Sequence, residues 1–242
     1  MTATPAVPAT PAVPAVPATL LHLDCSASPP GESVSRRLTA RFARAWQARH
    51  GTAGYRHRDL AADPVPPIGA AYAALGVRVE RRGTVPLADV RAVAASPGER
   101  DEWSLTLPLI TELRAAGTLL LGVPMYNFTV PAALKAWIDR VTFPGAFSDP
   151  VTGRSLLAAT RVVVVTARGG AYGPGTPREA FDFQTPYLRA YFDNLGVPAE
   201  HLSFVHAELT RADDVPALTP YRPLAATSLS AARTALAGLA AA

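Results

Sequence analysis

The chain has 242 residues, 49% hydrophobic and 17% charged, enough to bury a full core and closer in size to one large domain than to two. Its formal charge is +4, yet of 23 basic residues only Lys135 is a lysine, and the arginines are scattered rather than striped along one face, which argues against a nucleic-acid partner. No apolar run approaches the roughly 18 uninterrupted residues of a membrane span, and the single cysteine, Cys25, excludes an intramolecular disulfide and a zinc cluster; a soluble protein of a reducing cytoplasm is the expectation.

The first residues, MTATPAVPATPAVPAVPAT, carry a proline at every third or fourth position and no charged side chain. Such a segment favours extended, solvated backbone, so residues 1–18 are read as a disordered tail and 19–242 as the folded domain. A signal peptide is the competing reading, but prolines break each apolar stretch that it would need. From Thr19 onward, apolar β-branched runs alternate with longer amphipathic segments. Strands are expected at 19–24, 54–60, 118–123, 161–167 and 201–207, and helices at 35–50, 99–114, 131–141, 185–196 and 224–241. Between Pro64 and Pro97 the pattern fragments, and only loops and short helices are expected. Continuous runs such as VVVV suit strands covered on both faces, so the expected fold is a doubly wound α/β sheet of five parallel strands in the flavodoxin-like order 2-1-3-4-5, helices on both faces.

In such a sheet, ligands bind beyond the carboxyl ends of the strands, near the point where the strand order reverses. The loop after the first strand, DCSASPPGESVSRR, offers Ser26, Ser28, Ser33 and Ser35 ahead of a helix N-terminus, a place that favours anions, although serines there also serve simply as caps. It has neither a nucleoside-triphosphate P-loop nor a dinucleotide glycine fingerprint. After the third strand, PMYNFTVP holds Met125, Tyr126, Asn127 and Phe128 between two prolines, a mixture suited to a flat heteroaromatic ligand with a polar edge or, more plainly, to core under a loop. After the fourth, ARGGAYGPG brings Arg168, Gly169 and Gly170, either a ligand contact or a glycine turn. A phosphate end and a planar aromatic end together describe a molecule shaped like FMN.

Three segments, SPPGESVSRRL, PMYNFTVPAALKAWIDRVTFPG and ARGG with QTPYL, carry a resemblance to the FMN-dependent NADH-azoreductases, a flavodoxin-like family of flavin quinone reductases. The resemblance covers most of the chain from about Thr19. It implies that Ser28, Ser33, Val34 and Ser35 surround the FMN phosphate, that Met125, Tyr126, Asn127 and Phe128 border the isoalloxazine ring, and that Ala167, Arg168, Gly169 and Gly170 line its pyrimidine edge. It implies too a homodimer with flavin near the interface, and a ping-pong transfer of two electrons from NADH through FMN to quinones or azo compounds. In that scheme Arg168 and Asn127 are the candidate catalytic residues, with Arg168→Ala expected to slow turnover while sparing the fold.

Four departures from the family pattern stand out. The first loop is one residue short between Ser28 and Ser33, Ala167 replaces a common serine, SDPVTGRSLL after Phe147 is a shortened hairpin, and Asn194 stands where an aromatic or aliphatic side chain is common. Rival chemistry finds less support. His22 and His57 are read as isolated in their strands, and His201 and His206 as facing opposite sides of one strand, so no metal site is expected. No GxSxG elbow is present for a hydrolase. The alternative is a flavin-binding electron carrier or sensor without turnover.

Overall fold

The structure is a computed structural model that describes residues 18–83 and 85–241. The proline-rich tail expected over residues 1–18 thus lies outside the described residues, apart from Ala18.

Five parallel strands form one sheet: β1 (Leu20–Asp24), β2 (Tyr55–Asp59), β3 (Thr118–Pro124), β4 (Arg161–Ala167) and β5 (Leu202–Ala207), in the order β2-β1-β3-β4-β5. This is the expected doubly wound order, with the reversal between β1 and β3. The helices are α1 (Val34–His50), α2 (Ala70–Glu80), α3 (Val90–Val93), α4 (Pro97–Arg114), α5 (Ala132–Val141), α6 (Gln184–Asn194) and α7 (Arg222–Ala241).

Burial explains the apolar runs. Every residue of β1 and β3 is buried, as are Val162 to Thr166 of β4. One face of the sheet packs Leu21, Leu119, Leu121, Val162 and Val164 against Trp103, Ile110, Leu134 and Trp137 of α4 and α5. The other packs Leu20, Leu120, Val163 and Val165 against Leu38, Phe42 and Trp46 of α1 and Ala232 and Leu236 of α7. The segment Pro216–Ala241, a 3-10 turn running into α7, is long and apolar enough by composition to cross a membrane. Its buried stripe of Ala232, Leu236 and Ala240 nevertheless seats it on α1 and β5.

The fragmented zone holds more order than its sequence advertises. Eleven residues form α2, fastened by Tyr72, whose hydroxyl lies 3.0 and 2.9 Å from the Asp139 and Arg140 carbonyls. The fully buried Arg140 donates to the carbonyls of Pro66 and Pro67 and to Glu102 at 2.6 Å, so one guanidinium ties this zone to α4 and α5. Pro131, expected in the first turn of α5, is instead its N-cap with extended backbone.

Two readings of the histidines need correction. His201 lies in a 3-10 turn before β5 and not in the strand. His22 and His57 are not isolated: the parallel register sets them opposite one another, ring centroids 4.6 Å apart, with Asp24 between their Nε2 atoms. Burial alone would raise the Asp24 carboxyl, but the His22 and His57 imidazoles beside it and the Thr39 hydroxyl outweigh that and hold the group well below the usual carboxylate range. A methyl group on Gly122 of β3 would stand 2.3 Å from Asp24 Oδ1, so only glycine leaves that carboxylate its room.

Candidate functional site

Three loops leave the carboxyl ends of β1, β3 and β4 and meet at a cleft of about 1140 Å³. The cleft is walled on its far side by segments after β4 and β5. Each near-side loop is shaped by a different local device.

The first loop begins with Cys25, a buried thiol that donates to the Gly122 carbonyl at 2.9 Å and whose pKa burial pushes up, so it is a packing group. Ser33 is the N-cap of α1; its amide donates to the Pro29 carbonyl at 2.9 Å and its Oγ accepts from the Arg36 amide at 3.4 Å. The first-turn amides of any helix have no carbonyl one turn back, and α1 carries no acidic residue in its first turn. Ser26, Ser28, Ser33 and Val34 line the cleft at this helix end, as does Glu32. Arg36 fixes the loop from beneath: Nη2 donates to the Ser26 carbonyl at 2.6 Å and the fork grips both Asp59 oxygens at 2.6 and 2.7 Å. That guanidinium is the chief reason the Asp59 carboxyl titrates below its ordinary range.

The second loop is a tight reversal. Tyr126 and Thr129 exchange backbone hydrogen bonds of 3.1 Å across Asn127 and Phe128, which take φ of 48° and 71°. Both sit in the left-handed region, tolerable for asparagine and unusual for phenylalanine. The Met125 amide donates to the Ala167 carbonyl at 2.8 Å, and the Tyr126 hydroxyl accepts from the Ala27 amide at 3.1 Å, so this loop is tied to both neighbours. Pro124, Met125, Tyr126 and Asn127 line the cleft. Beneath them the buried Gln184 donates through Nε2 to the Pro124 carbonyl at 3.2 Å.

The third loop supplies Ala167, Gly169 and Gly170 to the wall. An added Cβ would come within 3.2 Å of Arg211 at Gly169 and within 3.3 Å of Tyr172 at Gly170, so both glycines let side chains of the far wall approach. The loop is zipped to the strand-β5 side by the Thr210 amide on the Arg168 carbonyl (2.9 Å) and by the Leu209 amide on the Gly170 carbonyl (3.0 Å).

Not every expected residue reaches the cleft. Arg168 is 1% exposed and is not among the residues that line the cleft: Nη2 donates to Thr185 Oγ1 at 2.6 Å, and ion pairs run to Asp182 (3.1 Å) and Glu208 (3.4 Å). Its side chain is taken up by two carboxylates delivered from later in the chain, an arrangement suited to positioning the loop. Ser35 is fully buried, its Oγ 3.2 Å from Ser33 Oγ, and it lies behind the residues that line the cleft. Phe128 lies outside the wall and packs on Phe181 and Tyr172. Sequence reasoning missed the far wall: Tyr172, Thr176, Arg178, Arg211 and Tyr221. The run AYGPGTPR gave a faint signal for the first three, with its glycines and prolines persisting past the turn; nothing in the pattern flagged Arg211.

The donor set fits FMN. Hydroxyls and a helix N-terminus at one end suit a phosphate, and glycine backbone with Met125 and Tyr126 at the other suits a flat ring with a polar edge.

Comparison with known proteins points the same way. The model of a family described as having a flavodoxin-like fold matches residues 18–219. A relative in Nocardia farcinica, an FMN-dependent NADH:quinone oxidoreductase, is 46% identical over 204 residues, covering 84% of this chain and 89% of its own length. One from Streptomyces coelicolor with the same name is 40% identical over 212 residues, covering 85% and 86%. Among solved structures, an FMN-dependent NADH-azoreductase from Bacillus anthracis in complex with FMN superposes with a TM-score of 0.71 at 20% identity, covering 93% of this chain and 98% of that one, which speaks to fold alone. With the matched segment spanning the whole sheet and all three loops, the chain belongs to the flavodoxin-like family of FMN-dependent NADH:quinone oxidoreductases.

Proposed function

We propose that this chain is an FMN-dependent NADH:quinone oxidoreductase that also reduces azo compounds. The observation that carries the reading is the meeting of three loops, each from a different strand, on one cleft with a hydroxyl-rich helix end and a glycine-lined aromatic end. When bound, FMN supplies the relay of two electrons from NADH to the acceptor in two half-reactions.

The chain's own residues bind and orient. Ser28, Ser33 and the amide of Val34 are assigned to the phosphate, helped by the positive end of the α1 dipole. Met125, Tyr126 and Asn127 are assigned to the ring's edge and face, with Asn127 available to donate and accept through its amide. The backbone of Ala167, Gly169 and Gly170 is assigned to the pyrimidine edge, where amide donors stabilise negative charge that grows during reduction. Arg168 holds that backbone in place. The hydroxyl lost at Ala167 leaves only main-chain donors at its position.

The active form is proposed to be a homodimer. Beside the cleft, Phe128, Phe181 and Phe183 are exposed, Phe183 to 57%, an aromatic surface that a second copy would cover. The domain is taken to run over 19–242, with quinone or azo compound as the small-molecule partner. The cytoplasm is the proposed compartment, in keeping with a lone buried thiol.

The test is an absorption spectrum of the purified protein followed by anaerobic NADH and then a benzoquinone. Flavin absorbance that bleaches with NADH and returns with quinone supports the reading. A protein that binds FMN yet oxidises NADH no faster than free FMN would be an electron carrier instead.

A further inference from the structure

We infer that His22, Asp24 and His57 form a binding site for a divalent transition ion of the zinc type, set in the β1–β2 edge of the sheet and separate from the cleft. The side-chain ligand atoms of these three residues all lie within 4.8 Å of one another. Asp24 Oδ2 stands 3.3 Å from His22 Nε2 and 3.1 Å from His57 Nε2. Ligands held about 2.0–2.1 Å from a tetrahedral ion are about 3.3 Å apart, which the two separations from Asp24 match, and a small rotation of the exposed His57 side chain would bring the third pair to that spacing.

The surroundings are those of a ligand set. His22 is 2% exposed, and its Nε2, aimed at the cluster, has no hydrogen-bond partner among the described residues. Its other ring nitrogen, Nδ1, lies 2.9 Å from the Tyr55 hydroxyl. If Nδ1 carries the proton and donates it to Tyr55, Nε2 presents a bare lone pair, the arrangement that metal-bound imidazoles adopt. Asp24 is anchored in the same manner: Thr39 Oγ1 donates to Oδ1 at 2.9 Å, leaving Oδ2 for the ion. Both buried ligands are thus held through the atom that the ion would not use.

Backbone placement makes the convergence a product of the fold. Parallel pairing sets His22 against His57, and alternation puts Asp24 on the same face as His22. The His57 side chain is 39% exposed, so the cluster opens to solvent on that side, where water can enter and complete the coordination. None of the three residues lines the cleft. Two imidazoles and a carboxylate select zinc, copper, nickel or iron over magnesium or calcium, which take oxygen ligands.

The test uses the FMN-loaded full chain and zinc chloride in equilibrium dialysis. One equivalent of zinc is expected to bind. His57→Ala, at the exposed corner, should weaken binding at least tenfold while flavin content stays at the wild-type value; Asp24→Asn should do the same to zinc. Tyr55→Phe should cost about tenfold, the usual effect of removing a group that orients a ligand. His50→Ala, away from the cluster, is the control and should change nothing. With copper in place of zinc, electron paramagnetic resonance should show coupling to two imidazole nitrogens, lost in His57→Ala. Absence of a bound equivalent, or binding unchanged in His57→Ala, overturns the inference.

Discussion

The two ends of the sheet are built on opposite principles. At the amino ends of the strands the polar groups satisfy one another. The Leu20 amide donates to Gly54, Thr118 to Thr19 and Arg161 to Gly117, while the Thr19 hydroxyl lies 2.7 Å from both the Ala115 carbonyl and the Gly117 amide. At the carboxyl ends, helix amides and hydroxyls face open space. The non-glycine residues with left-handed backbone among the described residues, Asn127, Phe128 and Leu209, all lie there. One end is closed chemistry that holds the strands together; the other spends conformational strain and buried charge to keep a cleft open.

Substitutions at the two ends should separate these roles. The largest effect is expected for Arg168→Ala, which strands Asp182 and Glu208 beside an empty buried space. A loss of about 3–5 kcal/mol in urea unfolding, together with lost flavin retention, is expected. A variant as stable as wild type but slow in turnover would instead return Arg168 to direct chemistry. At the opposite end, a Cβ on Gly54 would stand 2.2 Å from the Ala18 carbonyl oxygen. Gly54→Ala should therefore cost about 1–3 kcal/mol while FMN affinity, measured by fluorescence titration, stays unchanged.

A pH experiment isolates the polar layer under the third loop. His206, 2.8 Å from Thr166 Oγ1, has its pKa lowered from 6.5 to about 4, chiefly by burial and then by the Arg168 charge. The folded chain holds this imidazole neutral, so its contribution is whole above pH 6.5 and is lost as the pH falls toward about 4, where the unfolded chain takes up the proton first. About 1–2 kcal/mol should vanish across that window, after allowance for partial solvent contact. In His206→Asn, the stability-versus-pH curve should flatten there. The smallest stability effect belongs to Ser33→Ala, about 1 kcal/mol from the lost cap. Its FMN affinity should fall about tenfold, the worth of one hydrogen bond to a charged group.

The sequence disclosed elements whose signal is local. β4 matches the run RVVVVTA residue for residue, because a strand covered on both faces needs only apolar β-branched side chains. α2 escaped because its apolar residues are spread around the helix and flanked by prolines and arginines; its order comes from Tyr72 and Arg140, partners far along the chain. The near wall of the cleft was legible as loops at strand ends. The direction of Arg168 was not, since two carboxylates from distant segments decide it. Nor was the pairing of His22 with His57, because the register between strands is written in no single stretch of residues.

The order of the strands also sets a sequence of events during folding. β1 and β2 are joined through one helix, whereas β1 meets β3 only after the chain closes from Leu20 to Thr118. The bond from the Ala27 amide to the Tyr126 hydroxyl spans 99 residues, so the flavin cleft gains its second loop only after that long closure. Non-local pairings of this kind are slow. FMN can therefore capture the chain only late in folding. Added at the start of refolding, it should leave the early phase unaltered and act on unfolding instead, lengthening the lifetime of the native state.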